Sequence, residues 1–275
     1  MNFNVIKRAA KVMVIVMSLG FAGHPAHAAP DDKNNIDLEA LEQKANQGDV
    51  AAQRDLGIDY LFGKNAFQDG LQAELWLKKA AEKNDAVAQA ALGYLYEEGV
   101  GIAVNSKEAI RWYEKAAKQN HPTAQGRLGY MLKMGIGGKK DYPAAVKWLQ
   151  AAASWGDGYA QANLADLYEQ GLGIKQDYSL AATWYSAAAA QNHIKAQSRL
   201  GYLYEHGKGL KKDFIKAYMW YSIAGVWETV GEAELPDSDP RKALAKKMSK
   251  EQIVEAETLA TDWWIEHFQP SESKF

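Results

Sequence analysis

Leu92-Gly93-Tyr94-Leu95-Tyr96-Glu97-Glu98-Gly99, followed by Ala109-Ile110-Arg111-Trp112-Tyr113-Glu114-Lys115-Ala116-Ala117, decides the fold. The pattern returns every 36 residues in both directions. Glutamine stands at Gln53, Gln89, Gln125, Gln161 and Gln197, and tryptophan at Trp76, Trp112, Trp148, Trp184 and Trp220. A fixed period of that size marks a stacked-repeat architecture. The function of such an array is read from a surface rather than from a pocket.

Five units follow from the register: 49–84, 85–120, 121–156, 157–192 and 193–228. Each reads as two antiparallel helices. The first carries Leu56/Gly57, Leu92/Gly93, Leu128/Gly129, Leu164/Ala165 and Leu200/Gly201. A glycine inside a helix costs about 1 kcal/mol relative to alanine, so these positions predict tight contact with the partner helix. Gly63, Gly99, Gly135, Gly171 and Gly207 end that helix, and Asp69, Asn105, Asp141, Asp177 and Asp213 stand where the second helix needs an N-cap acceptor. The second helix buries a stripe such as Ala109, Trp112, Tyr113 and Ala116. Ahead of the array, Ile36 to Gln47 has helical spacing and ends at Gly48, which predicts an N-terminal capping helix over 36–48 behind a flexible lead-in at 29–35. Past Val226 the register is lost. Trp227 to Asp239 reads as a loop, Asp239-Pro240 opens a short helix to about Met248, and Ser249-Lys250-Glu251-Gln252 is a capping box opening a last helix to about Phe268. Trp263, Trp264 and Phe268 either pack on the last repeat or mark a contact site.

The run Ala88-Gln89-Ala90-Ala91-Leu92-Gly93 through Ala117 resembles the Sel1-like repeat, a branch of the tetratricopeptide-type α-solenoids. The resemblance covers about residues 36–228. It implies an all-α fold, a right-handed α-solenoid of antiparallel helix pairs with five Sel1-like repeats between N- and C-terminal capping helices. The first unit departs from the motif, with Lys64 to Phe67 replacing the second glycine, and the third has Leu132 where the others have tyrosine.

Composition narrows the function class. The chain has 275 residues, 47% of them hydrophobic, a formal charge of −2 and no cysteine. That argues against a nucleic-acid binder and excludes disulfides, thiol catalysis and thiolate metal sites. Residues 1–28 read as a signal peptide: Lys7, Arg8 and Lys11 are the basic start, Val12 to Ala22 the apolar run, and Ala26-His27-Ala28 the cleavage site. Cleavage after Ala28 leaves 29 of the 32 bases against 34 acids, a net of −5. The expectation is a periplasmic or secreted protein with no membrane insertion after cleavage.

No motif for chemistry survives inspection. Gly99-Val100-Gly101 and Gly171-Leu172-Gly173 follow helices and lack a Gly-Lys-Ser/Thr ending, so they read as structural rather than as phosphate loops. The tryptophan series reads as core rather than as a stacking platform for sugars or bases. His121 and His193 hold the same unit position at a helix start and read as solvated; with His206 and His267 they form no pair at metal-ligand spacing. No serine sits in a nucleophile elbow. Some Sel1-like proteins are described as β-lactamases, but those are cysteine-rich. The expectation is no catalysis, no cofactor and no metal.

By resemblance to tetratricopeptide arrays, the first helices line a concave groove at positions −5, −2, +2, +5 and +6 from their leucine. The groove residues implied are Tyr94, Tyr130, Asp166 and Tyr202 at +2, Glu97, Lys133, Glu169 and Glu205 at +5, and Glu98 and His206 at +6. Ile58, Leu61, Phe62, Met134 and Gln170 complete those rows. Tyrosines beside acids suit another protein as partner, one with some positive charge. For exported bacterial members of the family the resemblance raises immunity against a periplasm-acting toxin, such as a type VI phospholipase-like effector. The alternatives are an envelope regulatory adaptor or, from a different class, a cell-wall or β-lactam hydrolase.

Overall fold

The computed structural model describes residues 32–225 and 238–268, and every regular element among them is an α-helix. The expected signal peptide and its expected cleavage after Ala28, residues 29–31, most of the 227–239 stretch expected as a loop, and the chain past Phe268 lie outside the described residues. Helix α1 (Asp32–Asn46) precedes five pairs: α2 (Val50–Phe62) and α3 (Gly70–Glu82), α4 (Ala86–Glu98) and α5 (Ser106–Lys118), α6 (Pro122–Met134) and α7 (Tyr142–Ser154), α8 (Gly158–Gln170) and α9 (Tyr178–Ala190), α10 (Ile194–His206) and α11 (Phe214–Gly225). Then come α12 (Pro240–Ala245) and α13 (Lys250–Phe268). This is the all-α repeat fold expected. The capping helix starts four residues ahead of the expected Ile36, so Asp32–Asn35 belong to it and not to a lead-in. The short helix stops at Ala245, three residues before Met248.

Side-chain caps set the boundaries. Asp69, Asn105, Asp141, Asp177 and Asp213 each accept a backbone N–H from the first turn of the second helix, as expected. The first helices are capped too. Asp49, Asp85 and Asp157 accept from Ala52, Ala88 and Ala160 N–H at 2.7, 2.8 and 2.6 Å. In the third and fifth repeats His121 and His193 do this with Nδ1, accepting from Ala124 and Ala196 N–H at 3.4 and 3.2 Å. These histidines are half-buried, not solvated, because an N-cap side chain folds back over its own first turn.

The recurring glutamines close the other helix ends. Nε2 of Gln53, Gln89, Gln125, Gln161 and Gln197 donates to the carbonyl of Ala45, Ala81, Ala117, Ala153 and Ala189, at 3.0 to 3.3 Å. Those carbonyls belong to last turns, which have no partner within their helix. All five glutamines are buried.

Two steric rules hold the repeats together. A Cβ at Gly57, Gly93, Gly129 or Gly201 would stand 2.6 Å from Leu77 Cγ, 2.5 Å from Tyr113 Cδ1, 2.7 Å from Leu149 Cγ or 2.6 Å from Tyr221 Cδ1. In these four repeats the glycine admits the residue that follows the tryptophan; in the fourth repeat Ala165 stands there, and Tyr185 is buried all the same. The second glycine of each Gly-x-Gly turn lies against the start of the preceding repeat's second helix. A Cβ at Gly101 would stand 2.8 Å from Gly70 N, at Gly137 2.8 Å from Ser106 O, and at Gly209 2.5 Å from Ser179 N. These turns are joints between repeats. The first repeat lacks that glycine, yet its turn closes in the same way, with Asp69 N–H donating to Tyr60 O at 2.9 Å.

Packing divides the chain into an N-terminal unit, up to Leu167 together with Leu172–Ile174, and a C-terminal unit, Tyr168–Gly171 and from Lys175 onward. In the N-terminal unit the core runs through Leu77, Leu92, Leu95, Tyr113, Leu128 and Met131, with Leu56 and Trp76 packed under α1. Trp76 and Trp112 are buried, but Trp148, Trp184 and Trp220 are only half-buried, which corrects the expectation that all five indoles are core. The indole lies at the rim, with one ring face under a lysine: Lys79 Nζ is 3.8 Å from the Trp76 centroid, Lys115 3.8 Å from Trp112 and Lys147 4.8 Å from Trp148. In the C-terminal unit α13 packs on α11. Trp264 is buried there, and Trp263 is half-buried, edge-on to Trp220 at 5.7 Å. The side chain of Phe268 lies outside the described residues. Ser249 and Gln252 exchange the two bonds of the expected capping box at 2.9 and 3.3 Å.

Candidate functional site

The residues expected in the groove fall into two sets. One is tied up inside the repeats. Tyr113 OH donates to Glu97 Oε2 at 2.7 Å, Tyr185 OH to Glu169 Oε2 at 2.9 Å and Tyr221 OH to Glu205 Oε2 at 3.1 Å. A cation thirty residues or more further on completes each pair: Arg127 with Glu97 at 3.4 Å, Arg199 with Glu169, and Lys247 with Glu205 at 3.1 Å. Lys133 is likewise buried, with Asp166 and Asn163 (3.0 Å) as partners. Five of the ten site residues expected in the groove are therefore braces between repeats and not free charge for a visitor. For the glutamates the cause is the buried second-helix tyrosine, which Gly93 and Gly201 admit between the helices and which the fourth repeat buries with Ala165 at that position; its hydroxyl needs an acceptor at its far end. Burial, then the Glu97 carboxylate, push the Tyr113 hydroxyl well above the usual phenol range, and burial with Glu205 does the same to Tyr221.

The other set faces outward. In the N-terminal unit Ile58, Tyr94 and Tyr130 are half-buried, while Phe62 (45% exposed), Met134 (48%) and Glu98 stand open. Tyr159, at the −5 position of α8, is 76% exposed. Positions −5, +2 and +6 are seven and four residues apart and share one helix face. Adjacent repeats join along it, since the Phe62 and Tyr94 ring centroids are 5.6 Å apart. The face is aromatic and apolar, with Glu98 as its open acid at +6. In the C-terminal unit the same face is cationic. Tyr202 lies 4.3 Å from the His206 ring and 4.5 Å from the Arg199 guanidinium, and its OH accepts from Lys208 Nζ at 2.9 Å.

Five consecutive matches to the Sel1 repeat family model cover residues 50–85, 86–121, 122–157, 158–193 and 194–225. The chain belongs to the Sel1 repeat family. Sel1 repeats typically mediate protein–protein interaction. Among solved structures, a Sel1 repeat protein from Oxalobacter formigenes is 31% identical with a TM-score of 0.62, covering 79% of this chain and 99% of that one. A protective antigen present in uropathogenic Escherichia coli strains is 26% identical with a TM-score of 0.57 over 88% of this chain; the match spans 61% of that protein, less than two thirds of its length. The immunity protein Pa5087 from Pseudomonas aeruginosa is 19% identical, with a TM-score of 0.40, over 86% of this chain and 84% of that one. No curated protein matches the chain.

In this Sel1 array no three histidine, aspartate or glutamate side chains among the described residues are grouped to hold a metal, and no described helix is long and apolar enough to cross a membrane. Sequence reading missed Tyr159 at position −5, a position at which Val87 and Thr123 are exposed too. It also missed the internal pairing, for which a signal existed. Where the residue after tryptophan is tyrosine, position +5 is glutamate; where it is Leu77 or Leu149, position +5 is Leu61 or Lys133.

Proposed function

We propose that the chain is a non-catalytic scaffold that binds another protein through the first-helix face of its N-terminal unit. One observation carries the reading: on the first-helix face, Phe62, Met134 and Tyr159 are exposed and Tyr94 and Tyr130 are half-buried, with the Phe62 ring beside that of Tyr94. Tyrosine and tryptophan are enriched at the energetic centres of protein interfaces, because they bring large contact area at low entropy cost, and phenylalanine and methionine are enriched in interfaces as well. With Glu97 paired with Arg127, and Lys133 with Asp166, recognition there is mainly apolar, and charge is secondary. The family's typical role in protein interaction supports the same reading.

Tagged protein should retain a specific partner, and Tyr94→Ala with Tyr130→Ala should weaken that complex by tenfold or more, about 1.4 kcal/mol, with helicity and melting nearly unchanged. A partner held equally well by the double variant sinks the reading. Immunity is the sharper form of it: the partner is then a toxin that acts in the periplasm, and deletion of this gene leaves cells sensitive to it. An envelope regulator gives a partner without toxicity. Turnover of peptidoglycan or a β-lactam by the purified protein would instead move the chain to the enzyme class.

A further inference from the structure

The last repeat carries charge that the fold does not ask for. At position 208 the three preceding repeats use Leu172, Ile136 and Val100. Val100 and Ile136 pack on the core of the N-terminal unit. The fifth repeat has Lys208 there, followed by Lys211, Lys212 and Lys216; the third repeat shares lysine at two of these positions, Lys139 and Lys140, but has Ala144 at the last, so the full set of four is found in the fifth repeat alone. Lys211, Lys212 and Lys216 are exposed. Three of the four lysine heads, all but Lys211, rest near a ring rather than on a carboxylate. Lys208 Nζ is 5.2 Å from the Tyr178 centroid and 5.0 Å from Tyr202, Lys212 is 4.8 Å from Phe214, and Lys216 is 5.5 Å from Tyr204. Lys247 approaches the same Phe214 ring at 5.9 Å. The nearby acids are occupied: Glu205 accepts from Tyr221 and Lys247, and Asp213 caps α11. Among the described residues none of the four lysines forms an ion pair.

We propose that this lysine ridge of the fifth repeat docks an acidic segment of a partner protein. The proposal rests on the protein-binding reading above, but it uses other residues and adds the partner's chemistry. Rings beneath the ammonium groups hold them at fixed spacings, which suits pairing with discrete carboxylates. A lipid surface suits the ridge less well. Interfacial binding pairs basic residues with apolar side chains that insert, and no exposed large hydrophobic lies between Gly207 and Lys216. A net charge of −2 makes the positive field local to the ridge, unlike the broad basic field of a nucleic-acid binder.

The test uses the full chain and three probes: a labelled Glu/Ser peptide, its Lys/Ser counterpart, and phosphatidylglycerol vesicles. The comparison variant takes residues from the chain's own repeats, Lys208→Leu, Lys212→Gln and Lys216→Gln, so that it folds. The Glu/Ser peptide should bind and the Lys/Ser peptide should not. Its affinity should fall at least about tenfold between low salt and about 300 mM NaCl, and by a similar factor in the triple variant, while Tyr94→Ala with Tyr130→Ala leaves it unchanged. Equal affinity in the triple variant overturns the proposal, as does sedimentation with the vesicles at salt that releases the peptide. If the tyrosine pair proves silent toward the partner while the lysine variant loses the peptide, the groove reading falls and this one stands.

Discussion

The second and third repeats sit side by side in the sequence and solve the same packing problem in opposite ways. In residues 85–120 the slot beside Gly93 takes Tyr113, whose hydroxyl ends on Glu97, itself paired with Arg127. In residues 121–156 the slot beside Gly129 takes Leu149, and position +5 holds Lys133, paired with Asp166. The caps differ as well, with Asp85 in one repeat and His121 in the other. Backbone and register are shared, so what varies is a matched set of side chains. The lesson is that a position in this array is meaningful only with its partner: glutamate at +5 is an acceptor for a particular tyrosine before it is anything a visitor could touch.

Deleting the slot residues should have the largest effect. Tyr113 and Leu149 are both fully buried, and truncating either to alanine should cost about 2–5 kcal/mol of stability by chemical denaturation, as core deletions do. Tyr113→Ala should fall at the upper end, since it also strips Glu97 of its donor. A Tyr113 variant milder than the Leu149 variant would mean that the hydroxyl pair adds nothing. The next effect down tests the matching directly. Glu97→Leu alone leaves the Tyr113 hydroxyl buried without an acceptor and should cost about 1–3 kcal/mol. Adding Tyr113→Leu rebuilds the Leu61/Leu77 interior of the first repeat and should recover a good part of that loss. A double-mutant cycle should therefore show coupling on the order of 1 kcal/mol or more. Additive losses would break the comparison.

Most of the fold could be read from the sequence, because its determinants are local and repeated five times. Asp69 or Asn105 as caps, Gly99 as a stop and the Ser249–Gln252 box each act within one turn of helix. The site was harder for a definable reason. Family register says which positions face the groove, but whether Glu97 is free there depends on Tyr113, sixteen residues away, and on Arg127, thirty residues away. The chain's own repeats nevertheless encode that link through the tyrosine–glutamate pairing. Burial depth within the aromatic pair was misjudged for a similar reason. Trp148 and Leu149 are neighbours in one apolar stripe, and the leucine fills the space opposite Gly129 on the facing helix while the indole stays at the rim.

The caps give the smallest effect and the one tunable by pH. His121 accepts the Ala124 N–H through Nδ1, which requires the neutral ring; a protonated imidazole has no acceptor and sets a positive charge at the positive end of α6. Burial lowers the His121 pKa below its ordinary value even though the Asp85 carboxylate pulls the other way, and burial lowers that of His193 as well. A folded-state pKa below the unfolded value of about 6.5 means the cap contributes its stability above that pH and loses it as pH falls through the folded value. His121→Asn keeps an N-cap acceptor without placing a second carboxylate beside Asp85, so it should be within a few tenths of a kcal/mol of the parent at about pH 7.5. Near pH 5 the variant should be the more stable by about 0.5–1 kcal/mol, and the same substitution at His193 should repeat the pattern in the C-terminal unit. A stability gap that does not change between those two pH values would mean the histidine rings carry no share of the capping, and that the second and third repeats differ in their interiors alone.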